Sequence, residues 1–179
     1  MENKIPASKS NIEFGMFYGL AMILVFVIMY VLDIDPITSP MAGRLSSLAS
    51  YLFFPILFIT LGILKFKKNN FGFASLAECL KTGVSIAFIA AFLFAIFNLV
   101  FNLIFPEFLD EILGHTRQIM LKQNPNMTED QIETAISITK KFSSPLFSVP
   151  TTLLMFSFLG LIYSLIIGLI VKKDHNQFA

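Results

Sequence analysis

Four stretches of this chain are long, apolar and free of Asp, Glu, Lys, Arg and His: Phe14–Leu32, Leu45–Leu64, Thr82–Phe105 and Leu146–Val171. Each is long enough to cross a hydrocarbon core about 30 Å thick, which takes roughly 17–25 helical residues. No water reaches that depth, so every backbone amide must bond within its own segment, as in a helix. A membrane β-barrel would show alternating segments of about ten residues instead, and none appear. The sequence therefore predicts an all-α, integral membrane four-helix bundle, a single membrane domain over 1–179. Composition points the same way. Apolar residues make up 55% of the chain and charged residues 14%, against about 25% charged in a soluble domain. Mean hydropathy is +0.74, more apolar surface than a soluble core of this size could hide.

The first stretch is longer than the apolar core of a secretory signal, about 7–15 residues, and no small-residue cleavage site follows Leu32, so it is expected to stay as a span. Lys and Arg then set the orientation. The N-terminus, the Lys65–Lys81 segment and the C-terminal tail hold eight: Lys4, Lys9, Lys65, Lys67, Lys68, Lys81, Lys172 and Lys173. The other side holds five, Arg44, Arg117, Lys122, Lys140 and Lys141, among more acids. Both termini are expected in the cytoplasm, in a bacterial inner membrane. Cys79, the single cysteine, falls on the inner side. An impermeant maleimide is expected to miss it in intact spheroplasts and to label it after lysis.

The connections carry less. Asp33–Arg44 is a short outer turn marked by Pro36 and Pro40. In Lys65–Lys81, the residues Phe73, Leu76, Ala77 and Leu80 share a helical face, which suggests a short interfacial helix before the third span. Pro106–Pro145 is the largest extramembrane piece. Phe108, Leu109, Ile112, Leu113, Ile119 and Met120 form one apolar stripe, predicting an amphipathic helix over Glu107–Lys122. Asn124-Pro125 breaks it, and Thr128-Glu129-Asp130-Gln131 is a capping box that starts a second helix running to about Phe142. Together they predict an external amphipathic helical hairpin between the third and fourth spans.

Helices in lipid associate through close packing of small residues and through interhelical hydrogen bonds. Gly83, Ala87, Ala91 and Ala95 form a small ridge on the third span, extended by Asn98 and Asn102. Gly160, Ser164 and Gly168 do the same on the fourth, and Gly15 and Gly19 on the first. All are expected at helix contacts, with Phe88, Phe92 and Phe101 turned mostly to lipid or to gaps. The Asn98 amide is expected to bond to a neighbouring helix. Pro55 removes a donor from the second span, frees the carbonyl of Tyr51 and predicts a kink.

Chemistry is sparse. No span carries a titratable group of the kind proton-coupled transport needs; Glu13 stands at the edge of the first. Glu111 and His115 are one helical turn apart and could touch one cation, but a metal site normally needs three or four ligands. His175 lies in the charged tail. No Gly-rich phosphate loop occurs, and a net charge of +1 gives no electrostatic case for nucleic acid. Asn126-Met127-Thr128 fits a glycosylation sequon, relevant only in a eukaryotic host. No catalytic, cofactor or metal residue is predicted, and the chain is not expected to be an enzyme.

Two stretches carry a resemblance. Met127-Thr128-Glu129-Asp130-Gln131-Ile132-Glu133 runs on to Lys140-Lys141-Phe142-Ser143-Ser144-Pro145, with a last span ending Val171-Lys172-Lys173. Phe71–Gly83, with Lys81-Thr82-Gly83 entering the third span, belongs to the same pattern. The chain resembles, over nearly its whole length, a bacterial inner-membrane family typical of Bacteroidetes and catalogued as a domain of unknown function. The resemblance implies four helices and an inner membrane, and brings no activity. The expected role is a non-enzymatic accessory, assembly or oligomeric component whose partners are the lipid bilayer and a membrane protein or second copy. The alternative is a small channel or facilitator for neutral solutes, lined by Asn98, Asn102 and Ser157.

Overall fold

A computed structural model describes residues 7–35 and 39–173, with side chains from residue 11 onward; Lys4, Pro36, His175 and the side chain of Lys9 lie outside them. The first apolar stretch lies in α1 (Ala7–Val31). The second is one helical rod: α2 (Pro40–Leu48), a π-helical turn (Ala49–Phe53) and α3 (Phe54–Asn69). The third lies in α4 (Leu76–Ile104), and the fourth is α7 (Pro145–Val171). Between them stand α5 (Glu107–Gln123) and α6 (Glu129–Ser143), packed on each other. The rod and the other three helices are long and apolar enough to cross a membrane. The chain is an all-α membrane protein.

Local chemistry decides where the helices end. The Ser75 hydroxyl accepts from the Glu78 amide, and the Glu78 carboxylate accepts from the Ser75 amide at 2.8 Å, a complete capping box. That cap starts α4 at Leu76 and absorbs the short interfacial helix expected before the third span; only Phe73 stays outside it. Twenty-nine residues at about 1.5 Å each make α4 roughly 43 Å long, so it extends beyond the hydrocarbon on its polar residues. The box at Thr128 and Gln131 starts α6 as the sequence predicts. α3 stops in a left-handed turn, Phe71 at φ 54° and Gly72 at φ 83°, a conformation that glycine alone adopts without strain. Beyond it the Ala74 and Lys173 amides and carbonyls pair at 2.8 and 3.0 Å, and Lys67 Nζ donates to the Val171 carbonyl at 2.7 Å. These bonds tie the end of α7 to the α3–α4 connector.

α4 is the central helix, touching α1, α3 and α7. A Cβ built on Gly83 would stand 2.3 Å from Ser164 Cβ, and one on Gly160 would stand 2.5 Å from Ala87 Cβ. Gly168 closes on Cys79 in the same way at 2.9 Å, so α4 and α7 touch almost backbone to backbone. On α1, Gly15 faces Ile89 and Gly19 faces Ala90 and Leu93 of α4. The small ridges thus meet partners within a single chain. Gly62 of α3 makes an equally close approach, 2.2 Å from Ile86 Cδ1, and carries no four-residue pattern that would have exposed it in the sequence. Phe88 and Phe92 face outward, whereas Phe101 is buried among other rings.

Pro55 leaves its mark as a π turn just before it. In the π turn the Phe54 amide bonds to the Ala49 carbonyl, five residues back. Continued by one residue, that register would pair the Ser50 carbonyl with the amide that Pro55 lacks; the α register would pair Tyr51 with it. Both carbonyls are answered from outside the rod. The Tyr18 hydroxyl of α1 donates to Ser50 at 2.9 Å, and the Tyr163 hydroxyl of α7 donates to Tyr51 at 2.7 Å. Tyr18 is fully buried, with Phe54, Phe58 and Phe156 around its ring. One proline thereby binds three helices together.

Candidate functional site

Two cavities lie at the end of the bundle that carries α5 and α6. The first, about 120 Å³, is walled by Phe26, Tyr30 and Phe108. Their rings, with Phe101, sit 4.9–5.7 Å apart, mostly edge to face, an arrangement that suits the ring quadrupole. The cluster docks the first turn of α5 on the ends of α1 and α4. Above it Asp35 Oδ2 stands 2.6 Å from His115 Nδ1, closing the α1–α2 connector onto α5. Glu111 lines the same cavity. Among the described residues no three His, Cys, Asp or Glu side chains are placed to hold a metal ion. The Glu111–His115 pair gains Asp35 as a neighbour of the imidazole, and the cavity is a docking contact between α5 and the bundle.

The second cavity, about 290 Å³, opens between α4 and α7 beneath α6. It follows from the registers of two helices. The α4 ridge Gly83, Ala87, Ala91, Ala95 ends in Asn98 and Asn102. On α7 the stripe Gly160, Ser164, Gly168 continues upward in steps of four through Phe156 to Thr152, Ser148 and Ser144. At the lower end the two stripes touch. Phe156, buried against Tyr18 and Tyr51, marks the change. Above it Ala95, Asn98 and Asn102 face Thr152, Ser148 and Ser144 across the cavity, with Leu99 and Val149 as its apolar walls and Lys140 and Ser143 of α6 above.

The hydrogen bonding of these groups corrects one expectation. Asn98 Nδ2 donates to the Phe94 carbonyl of its own helix at 3.0 Å, not to a neighbouring helix, and Asn102 Nδ2 donates to the Asn98 carbonyl at 2.7 Å. Each amide turns back on a carbonyl one turn below in its own helix, and the cavity lies between it and α7. Ser143 and Ser144 likewise donate to the carbonyls of Thr139 and Lys141. Lys140 Nζ lies 3.6 Å from Asp110 Oδ1, both well exposed, a weak surface pair. Ser157 does not line the cavity. The cavity ends at Ala95 and Thr152, below which Ala87–Gly160 and Gly83–Ser164 close the space between the helices.

The structure thus brings Asn98, Asn102 and Ala95 to the cavity. It places Gly83, Ala87, Gly160, Ser164 and Gly168 at the α4–α7 contact, and Gly15 and Gly19 at the α1–α4 contact; Ala91 lies in the core. The sequence reading missed Ser144, Ser148 and Thr152. The signal for them was present, since they continue the Gly160 register, but it stops being a small-residue pattern at Phe156.

A family model described as a protein of unknown function (DUF4199) matches residues 13–173, and the chain belongs to that family. No curated protein and no solved structure matches it.

Proposed function

We propose that this chain is a non-enzymatic, multi-pass protein of the bacterial inner membrane, with both termini cytoplasmic and the α5–α6 hairpin outside, and that it acts as a binding protein. Its site is the outward cleft between α4 and α7. One observation carries this reading: the small ridges are consumed in contacts within the chain, while the polar continuation of the same ridges surrounds open space. A monomer built only for packing would leave no reason for Asn98, Asn102, Ser148 and Thr152 to face a gap. Conduction is the weaker alternative, because the cleft closes below Ala95 and Thr152.

An accessory or oligomeric role draws support from a different surface, the exposed Ile138 and Phe142 of α6. The test combines two measurements on the full chain in lipid discs. The unfolding midpoint is followed against a panel of polar solutes and lipids, and solute flux is followed in reconstituted vesicles. Binding predicts a rise in the midpoint with no flux. Flux would replace binding by facilitation, and a flat midpoint across the panel would overturn the binding reading.

A further inference from the structure

We infer that the cleft takes a phospholipid of the outer leaflet, held by a phosphodiester head that bears hydroxyl groups. The inference rests on the binding reading above and names its ligand class. Hydrogen-bond polarity comes first. Asn98 and Asn102 each spend an N–H on a backbone carbonyl. A carbonyl can only accept, so that bond fixes which end of the amide faces the helix. The Oδ1 atoms of both are left as acceptors, and a ligand that satisfies them must bring donors. Across the cleft the hydroxyls of Ser148 and Thr152 line the space and can donate to phosphate or ester oxygens. Lys140 stands at the rim. Its 3.6 Å separation from Asp110 exceeds the roughly 2.7–2.9 Å of a charge-assisted bond, so it can turn to an anion at little cost.

The apolar walls separate a lipid from a free solute. Leu99 leads from the cleft toward the middle of the bilayer along Ile96 and Phe92, one and two turns below it on α4, and the three are 39%, 46% and 51% exposed. An acyl chain attached to the bound head leaves along this continuous apolar surface without crossing water, whereas a soluble glycerophosphate gains nothing from it. A space of about 290 Å³ is at the small end of ligand pockets, roughly 300–1,000 Å³. It suits a headgroup and the start of its chains.

The test uses the full chain in a non-ionic detergent, short-chain phosphatidylglycerol as the probe, and native mass spectrometry to count bound lipid. One lipid per chain is expected. Lys140→Met is expected to lower retention about tenfold, the loss of roughly one charge-assisted hydrogen bond, Asn102→Leu about fivefold, the loss of a neutral one, and Lys68→Met at the opposite end is expected to leave it unchanged. Thr152→Val, nearly isosteric, replaces Asn102→Leu if the latter loses helicity. Equal retention by all these variants would mean unspecific annular lipid and overturn the inference. Soluble glycerol 3-phosphate binding as tightly as the lipid would overturn the lipid assignment and leave the binding reading standing. Binding of neither would overturn the phospholipid inference, and the binding reading falls with it only if the unfolding midpoint is also flat across the whole panel of solutes and lipids.

Discussion

Replacing Tyr18 by Phe removes one oxygen and leaves the ring packing in place. Tyr18 is fully buried and its hydroxyl donates to the Ser50 carbonyl at 2.9 Å. The substitution strands that carbonyl in an apolar interior. Stranding a buried acceptor costs about 1–3 kcal/mol in soluble proteins, while interhelical hydrogen bonds in membranes average about 0.6 kcal/mol and reach about 1.7. A loss near 1 kcal/mol, about a fivefold rise in the unfolding constant, is therefore expected. The cause is Pro55, and that gives the decisive control. Pro55→Ala restores an amide at the one interior position where the rod lacks it, Pro40 standing at its first turn. In ordinary α register the restored amide can then pair with the Tyr51 carbonyl, and the Phe54 amide with Ser50, so the tyrosine hydroxyl becomes redundant. Tyr18→Phe is expected to cost no more than a few tenths of a kcal/mol in the Pro55→Ala background, a coupling of roughly 0.5–1 kcal/mol. The four proteins of the cycle are compared by reversible unfolding in mixed detergent micelles, followed by helical circular dichroism. An equal cost of Tyr18→Phe in both backgrounds would refute the argument that the proline creates the need for the hydroxyl.

Two further tests address packing and topology. Gly83→Ala places a methyl group 2.3 Å from Ser164 Cβ; overpacking of about 1–3 kcal/mol should outweigh the gain of up to about 1 kcal/mol in helix propensity and lower the unfolding midpoint. Gly114→Ala meets nothing within 4 Å and should raise it, so shifts of the same sign would show that the contact of α4 with α7 is not as close as described. Cys79 is fully buried against Gly168, which corrects the labelling expectation: an impermeant maleimide should fail after lysis as well as before it, until the protein is denatured. In a Cys79→Ala background the exposed positions Lys68 and Gln118 replace it, Lys68→Cys labelling only after lysis and Gln118→Cys in intact spheroplasts. The reverse pattern would invert the orientation.

Hydropathy located the four long helices because the cost of an unpaired amide in hydrocarbon leaves the backbone no choice. It misplaced several ends because it records where apolar side chains stop, whereas a helix stops where its terminal amides find another partner. At Ser75 that partner is a capping box several residues outside the apolar stretch, so the expected connector helix became the first turns of α4. At Pro40 and Asn69 the rod likewise outruns Leu45–Leu64. The Thr128 cap and the limits of α5 and α6 were legible because capping is local chemistry. The pairs Tyr18–Ser50, Tyr163–Tyr51 and Asp35–His115 were not, because each joins residues 32 or more positions apart, and nothing in a single sequence states which elements meet.

The cleft was half legible, and the missing half has a physical reason. Glycine and alanine at four-residue steps advertise contact because they let backbones approach. Serine and threonine are also small, so the register from Gly168 and Gly160 up to Ser148 and Ser144 can continue while its role changes from touching a helix to lining a space. What changes the role is the one large residue in that register. Phe156 is buried with its ring against Tyr18 and Tyr51, and above it the two stripes line the cavity. The proline that frees the Ser50 and Tyr51 carbonyls, the tyrosines that answer them and the phenylalanine packed on those tyrosines are therefore one assembly. Its phenylalanine stands one turn below Thr152 in the same register, next to the lower end of the cleft.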